Sequence, residues 1–254
     1  PNVGKSTLLN RLVGTKVSIV SPKVQTTRSR VLGICIEGDA QIIFIDTPGI
    51  FKPKRRLDRA MVAAAWGGAG DGDEVLLLVD SSRGIDKNTR NIIKRLKKSG
   101  QKIFLAINKV DLVKKPKLLE LTAELNDSGV FSDIFMISAE KGDGVPDLMA
   151  FLCDRLPLGP WLFPEDQISD MPDRLTAAEI TREKLYLQLH QELPYAAAVE
   201  TEAWQEKDDG SVRIEQVIYV ERSTQKAIVL GKRGNRIKAL GQAAREELED
   251  IFER

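Results

Sequence analysis

The sequence is poor in the residue types on which several classes of site depend. It holds one histidine, His190, and two cysteines, Cys35 and Cys153, which share no metal-ligand spacing. A disulfide framework, a histidine metal site and a Ser/His/Asp triad are therefore poorly supported, and we expect packing or surface roles for these residues. The formal net charge is only +1, which excludes a globally basic nucleic-acid-binding protein but leaves room for a local basic patch.

Long hydrophobic runs are also missing. No run approaches the roughly 18 uncharged apolar residues of a membrane helix, and the start of the sequence has no signal-peptide pattern. We therefore expect a soluble, intracellular protein. A chain of 254 residues, of which 42% are hydrophobic, has enough apolar material for the core of one large domain or two ordinary ones.

The chain divides into two patterns. Up to residue 157, apolar runs alternate with helical patterns, which predicts a three-layer α/β domain with a mostly parallel sheet and helices on both faces. The runs are QIIFID (41–46), EVLLLVD (74–80), KIFLAINK (102–109) and DIFMISA (133–139), and SRVLGICIEGDAQIIFID predicts an antiparallel edge hairpin. Residues 158–173 are rich in proline and predict a linker. Residues 174–254 predict a second, α+β domain in the order helix, strand, strand, helix, helix.

The opening PNVGKST contains the second half of the phosphate-binding pattern G-x-x-x-x-G-K-[ST]. The first glycine of that pattern would lie two residues before Pro1, so we expect the first strand of the sheet to precede the given sequence. Lys5 would bridge the β- and γ-phosphates, and Ser6 would present its hydroxyl to Mg²⁺. The alternative is a helix start with an incidental Gly-Lys-Ser.

Three further motifs follow in order, each at the end of a predicted strand. In DTPG (46–49), Asp46 can hold Mg²⁺ through water and the Gly49 N–H can reach a γ-phosphate, although a simple Pro-Gly turn is the alternative. In NKVD (108–111), Asp111 can accept two hydrogen bonds from guanine that adenine cannot offer. In SAEKG (138–142), the Ala139 N–H would lie near the guanine carbonyl. Four motifs at one sheet edge predict a guanine-nucleotide site.

These motifs resemble those of the translation-factor-like GTPases, and VSIVSPKVQTTRSRVLGI together with the second domain narrows the resemblance to the Era family, over nearly the whole chain. The resemblance implies a GTPase that uses GTP and Mg²⁺, with Ser6, Thr27 and Asp46 at the metal. It makes QTTR switch I, with Thr26 as the alternative metal-capping residue, and gives Lys5, Thr27 and Gly49 catalytic roles. The implied nucleotide-binding residues are Pro1, Asn2, Val3, Gly4, Lys5, Ser6, Thr7, Asp46, Thr47, Pro48, Gly49, Ile50, Asn108, Lys109, Asp111, Ser138, Ala139 and Lys141.

Ile50 follows DTPG, where many signalling GTPases carry a glutamine that orients the attacking water. In potassium-stimulated relatives, an asparagine in the phosphate loop helps to coordinate K⁺ beside the phosphates. Asn2 occupies that position, so K⁺ is an expected cofactor, and a loop-shaping role for Asn2 is the alternative. The basic KPKRRLDR (52–59) in the implied switch II is interpreted either as a solvated mobile loop or as a contact for RNA or a partner.

The second domain carries GKRG (231–234) between two predicted helices that follow a strand, which is the layout of a KH domain. Residues 223–245 contain six Lys and Arg and no Asp or Glu. An ordinary basic helix face is the alternative to RNA binding. A KH fold needs a further strand after its second helix, which we expect beyond Arg254. The predicted RNA-binding residues are Gly231, Lys232, Arg233, Gly234, Arg236 and Lys238.

The resemblance assigns the KH domain to small-subunit ribosomal RNA near its 3′ end, and the whole protein to assembly of the small ribosomal subunit. It implies a monomer without a DNA partner, in the cytoplasm or an organelle matrix, with peripheral association at the inner membrane as a further expectation. Two alternatives remain: a non-enzymatic RNA-binding or membrane-associated scaffold, and a relative with a degenerate KH domain. Lys5, Thr27, Asp46 and Asp111 argue against the first, and Lys232 with Arg233 against the second.

Overall fold

The computed structural model describes residues 2–23, 27, 30–50, 62–63, 67, 72–100, 103–189 and 196–254. The chain forms two compact units, one of Pro1–Ser18 with Thr27–Asp170 and one of Ile19–Thr26 with Met171–Arg254. The boundary at residue 170 lies inside the predicted linker. The predictions for Pro1, His190, most of QTTR and all of KPKRRLDR concern positions outside the described residues.

The first unit has the predicted α/β arrangement. Its described elements are α1 (Lys5–Val13), β1 (Val31–Glu37), β2 (Ala40–Asp46), β3 (Leu76–Asp80), α2 (Lys87–Ser99), β4 (Ile103–Asn108), α3 (Lys115–Asn126), β5 (Phe131–Met136) and α4 (Val145–Cys153). Strands β1 and β2 form the expected antiparallel hairpin, and β3, β4 and β5 form a parallel sheet in that order. A cleft of about 520 Å³ lies between the hairpin and this sheet, lined by Ile42, Phe44, Leu76 and Leu78 among others.

The central strand β4 is apolar along its length because helices cover both of its faces. Ile103, Leu105 and Ile107 pack against one layer, which includes Leu96 of α2 and Leu125 of α3. Phe104 and Ala106 point the other way, into a cluster with residues of α1 and α4. This alternation makes a three-layer unit and brings the carboxyl ends of β3 and β4 to one edge.

Part of the predicted linker packs on the first unit along the β1–β2 hairpin. The Ile34 N–H donates to the Ile168 carbonyl at 2.9 Å, and the Ser169 hydroxyl donates to the Leu32 carbonyl at 2.8 Å. The Gln41 side chain accepts from the Phe163 N–H at 3.0 Å and donates to its carbonyl at 2.8 Å. Residues 163–169 are therefore an edge of the first unit rather than a simple spacer.

The second unit has the predicted order of elements, which are α5 (Asp173–Gln188), β6 (Ala197–Glu206), β7 (Val212–Val220), α6 (Ser223–Leu230) and α7 (Asn235–Phe252). Strands β6 and β7 pair in antiparallel fashion around a turn at Gly210, whose φ is 81°. The helices pack on one face of this hairpin through a cluster that includes Leu185, Val229 and Leu240. The two units together confirm the predicted fold class.

A short segment from early in the chain also belongs to the second unit. Ile19 is buried among Ala177, Ile180 and Leu248. The Val20 N–H donates to a carboxylate oxygen of Glu183 at 2.7 Å, and the Lys23 ammonium donates to the carbonyls of Tyr186 and Leu189. Partial burial lowers the pKa of Lys23. Sequence reasoning placed residues 1–157 together in the first domain, so this grouping differs from the expected boundary.

No helix in the described part of the chain has both the length and the apolar character needed to cross a membrane. Burial, which has the largest effect, and the neighbouring Cys153 and Glu37 together raise the pKa of the Cys35 thiol to about 11. The Cys35 thiol is therefore protonated at neutral pH, and it is a poor nucleophile or metal ligand.

Candidate functional site

The site begins where the chain turns into α1. Gly4 has a φ of 95°, a left-handed conformation that suits glycine. A Cβ atom at this position would lie 2.3 Å from Nδ2 of Asn108, so the close approach of the two loops requires the missing side chain. The turn places Lys5, Ser6 and Thr7 in the first turn of α1, where unpaired backbone N–H groups and the helix dipole favour a bound anion.

Oxygen atoms converge on Asp46 at the end of β2. The hydroxyls of Ser6 and Thr27 each donate to Asp46 Oδ2 at 3.0 Å, and Ser18 donates to the same atom at 3.1 Å. Asp46 is only 5% exposed, and among the described residues its Oδ1 has no hydrogen-bond partner. One carboxylate with two hydroxyls is a donor set that Mg²⁺ accepts, so these residues fit the predicted metal.

Asn108, at the end of β4, holds two of the motif loops together. Its Nδ2 donates to the Val3 carbonyl at 2.7 Å, and its Oδ1 accepts the Ala139 N–H at 2.9 Å, with only 1% of the residue exposed. The Ala139 N–H, which sequence reasoning assigned to the guanine carbonyl, is thus committed to Asn108. Asn108 Oδ1 also accepts the Lys109 N–H at 2.8 Å, so this one buried oxygen ties NKVD to the SAEKG loop.

Lys109 crosses from NKVD to the phosphate loop. Its backbone is left-handed, with a φ of 66°, and its ammonium group donates to the Asn2 carbonyl at 2.8 Å and to Asp80 Oδ2 at 2.6 Å. Burial raises the pKa of Asp80, but hydrogen bonds from Lys109 and Ser82 and the charge of Lys109 outweigh it and hold the pKa below its ordinary value. Asp80 is 3% exposed, so this ion pair is fixed in place.

The SAEKG loop is held from two sides. The Ser138 side chain is fully buried, and its hydroxyl accepts the Lys141 N–H at 3.0 Å, which closes the loop on itself. Arg11 of α1 donates through Nε to the Ala139 carbonyl and through Nη2 to the Glu140 carbonyl, both at 2.5 Å. Arg11 therefore couples the helix that begins at the phosphate loop to the loop expected to face guanine.

The other predicted nucleotide contacts lie at the same edge. Asp111 is exposed on a short 3₁₀ turn (Val110–Leu112) directly after β4. Thr47, Pro48, Gly49 and Ile50 line a cavity of about 150 Å³, whose walls also include Val3, Lys5 and Asp80. The four motifs are thus brought together at one edge of the first unit.

Asp80 and Arg11 were not predicted. Asp80 ends β3 at the same edge as Asn108, and its position after the apolar run VLLLV was a usable signal. Arg11 carried no comparable signal, because one arginine on the polar side of an amphipathic helix is an ordinary surface residue.

The GKRG loop of the second unit has a demanding backbone. Gly231, Arg233 and Gly234 have φ values of 71°, 53° and 76°, and a Cβ atom on Gly231 would lie 2.7 Å from Cβ of Arg236. The side chains of Lys232 and Arg233 are exposed on this tight turn. Arg236 also donates to the Ile228 carbonyl at 2.7 Å, so it fastens the loop to α6 in addition to carrying charge.

Comparisons with known proteins match both units. A family model described as 50S ribosome-binding GTPase matches residues 1–109, and a KH domain model matches residues 192–254. The GTPase Era of Agrobacterium fabrum is 62% identical over 252 residues, which cover 99% of this chain and 80% of that protein. The GTPase Era of Caulobacter vibrioides is 56% identical over 269 residues, covering 100% of this chain and 85% of that protein.

Two solved structures have the same fold over the whole chain. A structure of Era in complex with MgGDPNP and nucleotides 1506–1542 of 16S ribosomal RNA has a TM-score of 0.95 and 41% identity, and covers 87% of that chain. A variant of Aquifex aeolicus Era bound to GDP and AlF4⁻ has a TM-score of 0.94, with the same identity and coverage. With this identity across both matched domains, the chain belongs to the Era family of GTPases.

Proposed function

We propose that this protein is a GTP-binding and GTP-hydrolysing switch that binds small-subunit ribosomal RNA near its 3′ end and assists assembly of the small subunit. The observation that carries the proposal is the linkage of the nucleotide motifs to one another. Asn108 joins the phosphate loop to SAEKG, and Lys109 joins it to Asp80. A site preorganised in this way orients a nucleotide at little further entropic cost.

Each end of the nucleotide has its own recognition chemistry. The phosphates would lie at the N-terminus of α1, where Lys5 adds a positive charge and Gly49 adds an N–H from the opposite loop. The base would be recognised by the exposed carboxylate of Asp111, which accepts from the N1–H and 2-amino groups of guanine. Adenine lacks these donors and would leave the carboxylate unpaired.

Ser6, Thr27 and Asp46 would hold Mg²⁺, since their oxygens already converge and one buried oxygen of Asp46 lacks a partner among the described residues. The bound ion would neutralise charge on the β- and γ-phosphates. Thr27 belongs to the implied switch I, so its hydroxyl would report whether a γ-phosphate is present. Loss of that contact after hydrolysis would be the switching event.

Hydrolysis must proceed without a glutamine at the position of Ile50. We assign the stabilisation of developing negative charge on the phosphates to K⁺ held near Asn2. The Asn2 carbonyl accepts from Lys109, which favours the loop-shaping interpretation for its backbone and leaves the side-chain role to the family resemblance. Phosphate release measured in K⁺ and in Na⁺, for the wild type and for Asn2→Ala, tests this assignment. Equal rates in the two salts would contradict it.

The RNA half of the proposal rests on the GKRG loop, whose glycines allow close approach to a sugar-phosphate backbone while Lys232 and Arg233 project from it. The similar Era structure contains a 16S ribosomal RNA segment. We therefore propose the pre-small ribosomal subunit as the partner and a ribosome-containing compartment as the place of action.

The guanine assignment is tested by Asp111→Asn. An amide can donate to a 2-oxo group where the carboxylate accepts from an amine, so the variant should prefer xanthosine triphosphate over GTP in a phosphate-release assay. Asp127→Asn, an exposed substitution with the same charge change on the same unit, is the matched control and should keep the wild-type preference. An unchanged preference in Asp111→Asn would contradict the site, and no phosphate release by the wild type would favour the scaffold alternative.

A further inference from the structure

Helix α2 of the GTPase unit presents a uniformly positive surface. Its 13 residues, KNTRNIIKRLKKS, include six Lys and Arg and no Asp or Glu. Ile92, Ile93 and Leu96 pack against the core cluster of that unit. The exposed cations on the opposite side, here named the basic face of α2, are Lys87, Arg90, Lys94, Lys97 and Lys98.

Interactions among the described residues do not account for this charge. The helix dipole favours Lys97 and Lys98 in the last turn, but it disfavours Lys87 and Arg90 near the first turn. The i,i+4 spacings of Arg90 with Lys94, and of Lys94 with Lys98, place like charges side by side, which destabilises the helix. Within the described residues, no side chain of the basic face forms an ion pair with a carboxylate.

The cations form a compact stripe. At about 100° per residue, the five side chains fall within an arc of about 100°, on the side of the helix away from Ile92 and Leu96. Lys87 and Lys98 are about 16 Å apart along the axis at 1.5 Å per residue. Positive charge therefore recurs at roughly every turn, which suits a partner whose negative charge also repeats at regular intervals.

The chemistry favours a nucleic-acid backbone over a membrane. Basic helices that bind membranes insert an apolar face, but the apolar residues of α2 are packed inside the protein. Phosphodiester groups need no pocket, and contacts to them from Lys and Arg supply most of the sequence-independent affinity for nucleic acids. We propose that the basic face of α2 is a second RNA contact, which binds the phosphate backbone of ribosomal RNA without reading its sequence. This inference rests on the proposed function.

The test uses the full-length protein and two RNAs. Complete small-subunit ribosomal RNA offers backbone to both surfaces, whereas a 3′-end oligonucleotide of about eight nucleotides is sized for the KH loop alone. Arg90→Gln/Lys94→Gln should bind the complete RNA roughly five- to tenfold more weakly at low salt and bind the oligonucleotide normally. The slope of log affinity against log salt should become shallower by about 1.4, because each of the two lost phosphate contacts contributes about 0.7.

Lys115→Gln/Lys117→Gln on the neighbouring helix α3 is the matched control, because both lysines are exposed and the charge change is the same. The RNA affinity of this control should stay within twofold of the wild-type affinity. If both variants lost affinity equally, the effect would come from net charge alone and the proposal would be overturned. Unchanged binding of complete RNA by Arg90→Gln/Lys94→Gln would also overturn it. Binding to vesicles that contain phosphatidylglycerol should be measured for the same variant. If Arg90→Gln/Lys94→Gln weakened binding to the vesicles and left RNA binding unchanged, the basic face would be assigned to a membrane surface and the proposal overturned. Failure of the wild type to bind either RNA would instead refute the proposed function itself.

Discussion

At the scale of single residues, Asp80 determines where Lys109 lies. Lys109 belongs to NKVD, but its position over the phosphate loop depends on a carboxylate outside every motif, 2.6 Å from the ammonium group. Without that anchor, the flexible lysine stem would have to be ordered each time a nucleotide binds. Asp80 is therefore a positioning residue for the nucleotide site.

Asp80→Asn should weaken the affinities for GTP and GDP equally, by about five- to thirtyfold, which corresponds to about 1–2 kcal/mol for a partly buried charged hydrogen bond. The kcat at saturating GTP should change little, because Asp80 touches no reacting atom. Equilibrium binding of both nucleotides and a kcat measurement would check this. A fall in kcat with unchanged affinity would contradict a positioning role.

The dependence on pH supplies a second readout. Because the pKa of Asp80 is lowered in the folded protein, the stability from its ionised form is present above the unfolded pKa of about 3.9 and lost as the pH falls through the lower folded value. The affinity advantage of the wild type over Asp80→Asn should therefore be constant from pH 8 to pH 5. A decline within that range would show that a different group is responsible.

Residues inside the nucleotide motifs were easier to pick out from the sequence than residues that support them. Asn108 and Asp46 were singled out because their motifs have fixed spacing. Arg11 was not found, since its partners are backbone carbonyls at residues 139 and 140, and nothing in the local sequence marks a carbonyl as an acceptor. Supporting contacts of this kind become visible only when the loops are placed in space.

At the scale of elements, strands were predicted well where a run is buried on both faces, as in β4. Their ends were predicted less well. The run DIFMISA suggested a strand over residues 133–139, but β5 spans Phe131–Met136. The Ser138 hydroxyl accepts the Lys141 N–H within the loop that follows, and the Ala139 N–H donates to the Asn108 side chain instead of extending the ladder. A buried serine and alanine have the same apolar surroundings in a loop as in a strand, so periodicity alone does not separate the two.

The segment that begins at Ile19 was assigned to the first domain, because nothing in its composition differs from its neighbours. Its partners on α5 and α7 lie more than 150 residues away in the sequence. Such a contact has no local signature, and this is the part of the architecture that sequence patterns cannot supply.

Ile19→Ala should destabilise the second unit by about 2–4 kcal/mol, because Ile19 is 4% exposed and its truncation leaves a cavity among Ala177, Ile180 and Leu248. Hydrogen exchange should show lost protection in α5 and α7, with β4 of the first unit unchanged. Val20→Ala is the control, since Val20 is 38% exposed and its bond to Glu183 is made by the backbone, so it should cost less than about 1 kcal/mol. Loss of protection in β4 alone would contradict the assignment of Ile19 to the second unit.

At the scale of the whole molecule, the order of elements in each unit followed from the pattern of apolar runs, because each unit packs around its own core. The assignment of each residue to one of the two units did not follow from that pattern. The chain leaves the first unit at Ser18, contributes Ile19–Thr26 to the second, and returns at Thr27, whose hydroxyl is bonded to Asp46. The residue expected to sense a γ-phosphate thus directly follows a segment that belongs to the KH unit.

This connectivity also affects how the protein folds during its synthesis on the ribosome. Ile19 is synthesised early, but the far end of α5 follows about 170 residues later, which takes roughly 10–30 s at ordinary rates of translation. Until then Ile19 has no burial site, and the segment before Thr27 cannot reach its final place, even if the sheet around β4 has already formed. The nascent GTPase unit would therefore complete the segment leading into its switch only after the RNA-binding unit has been made.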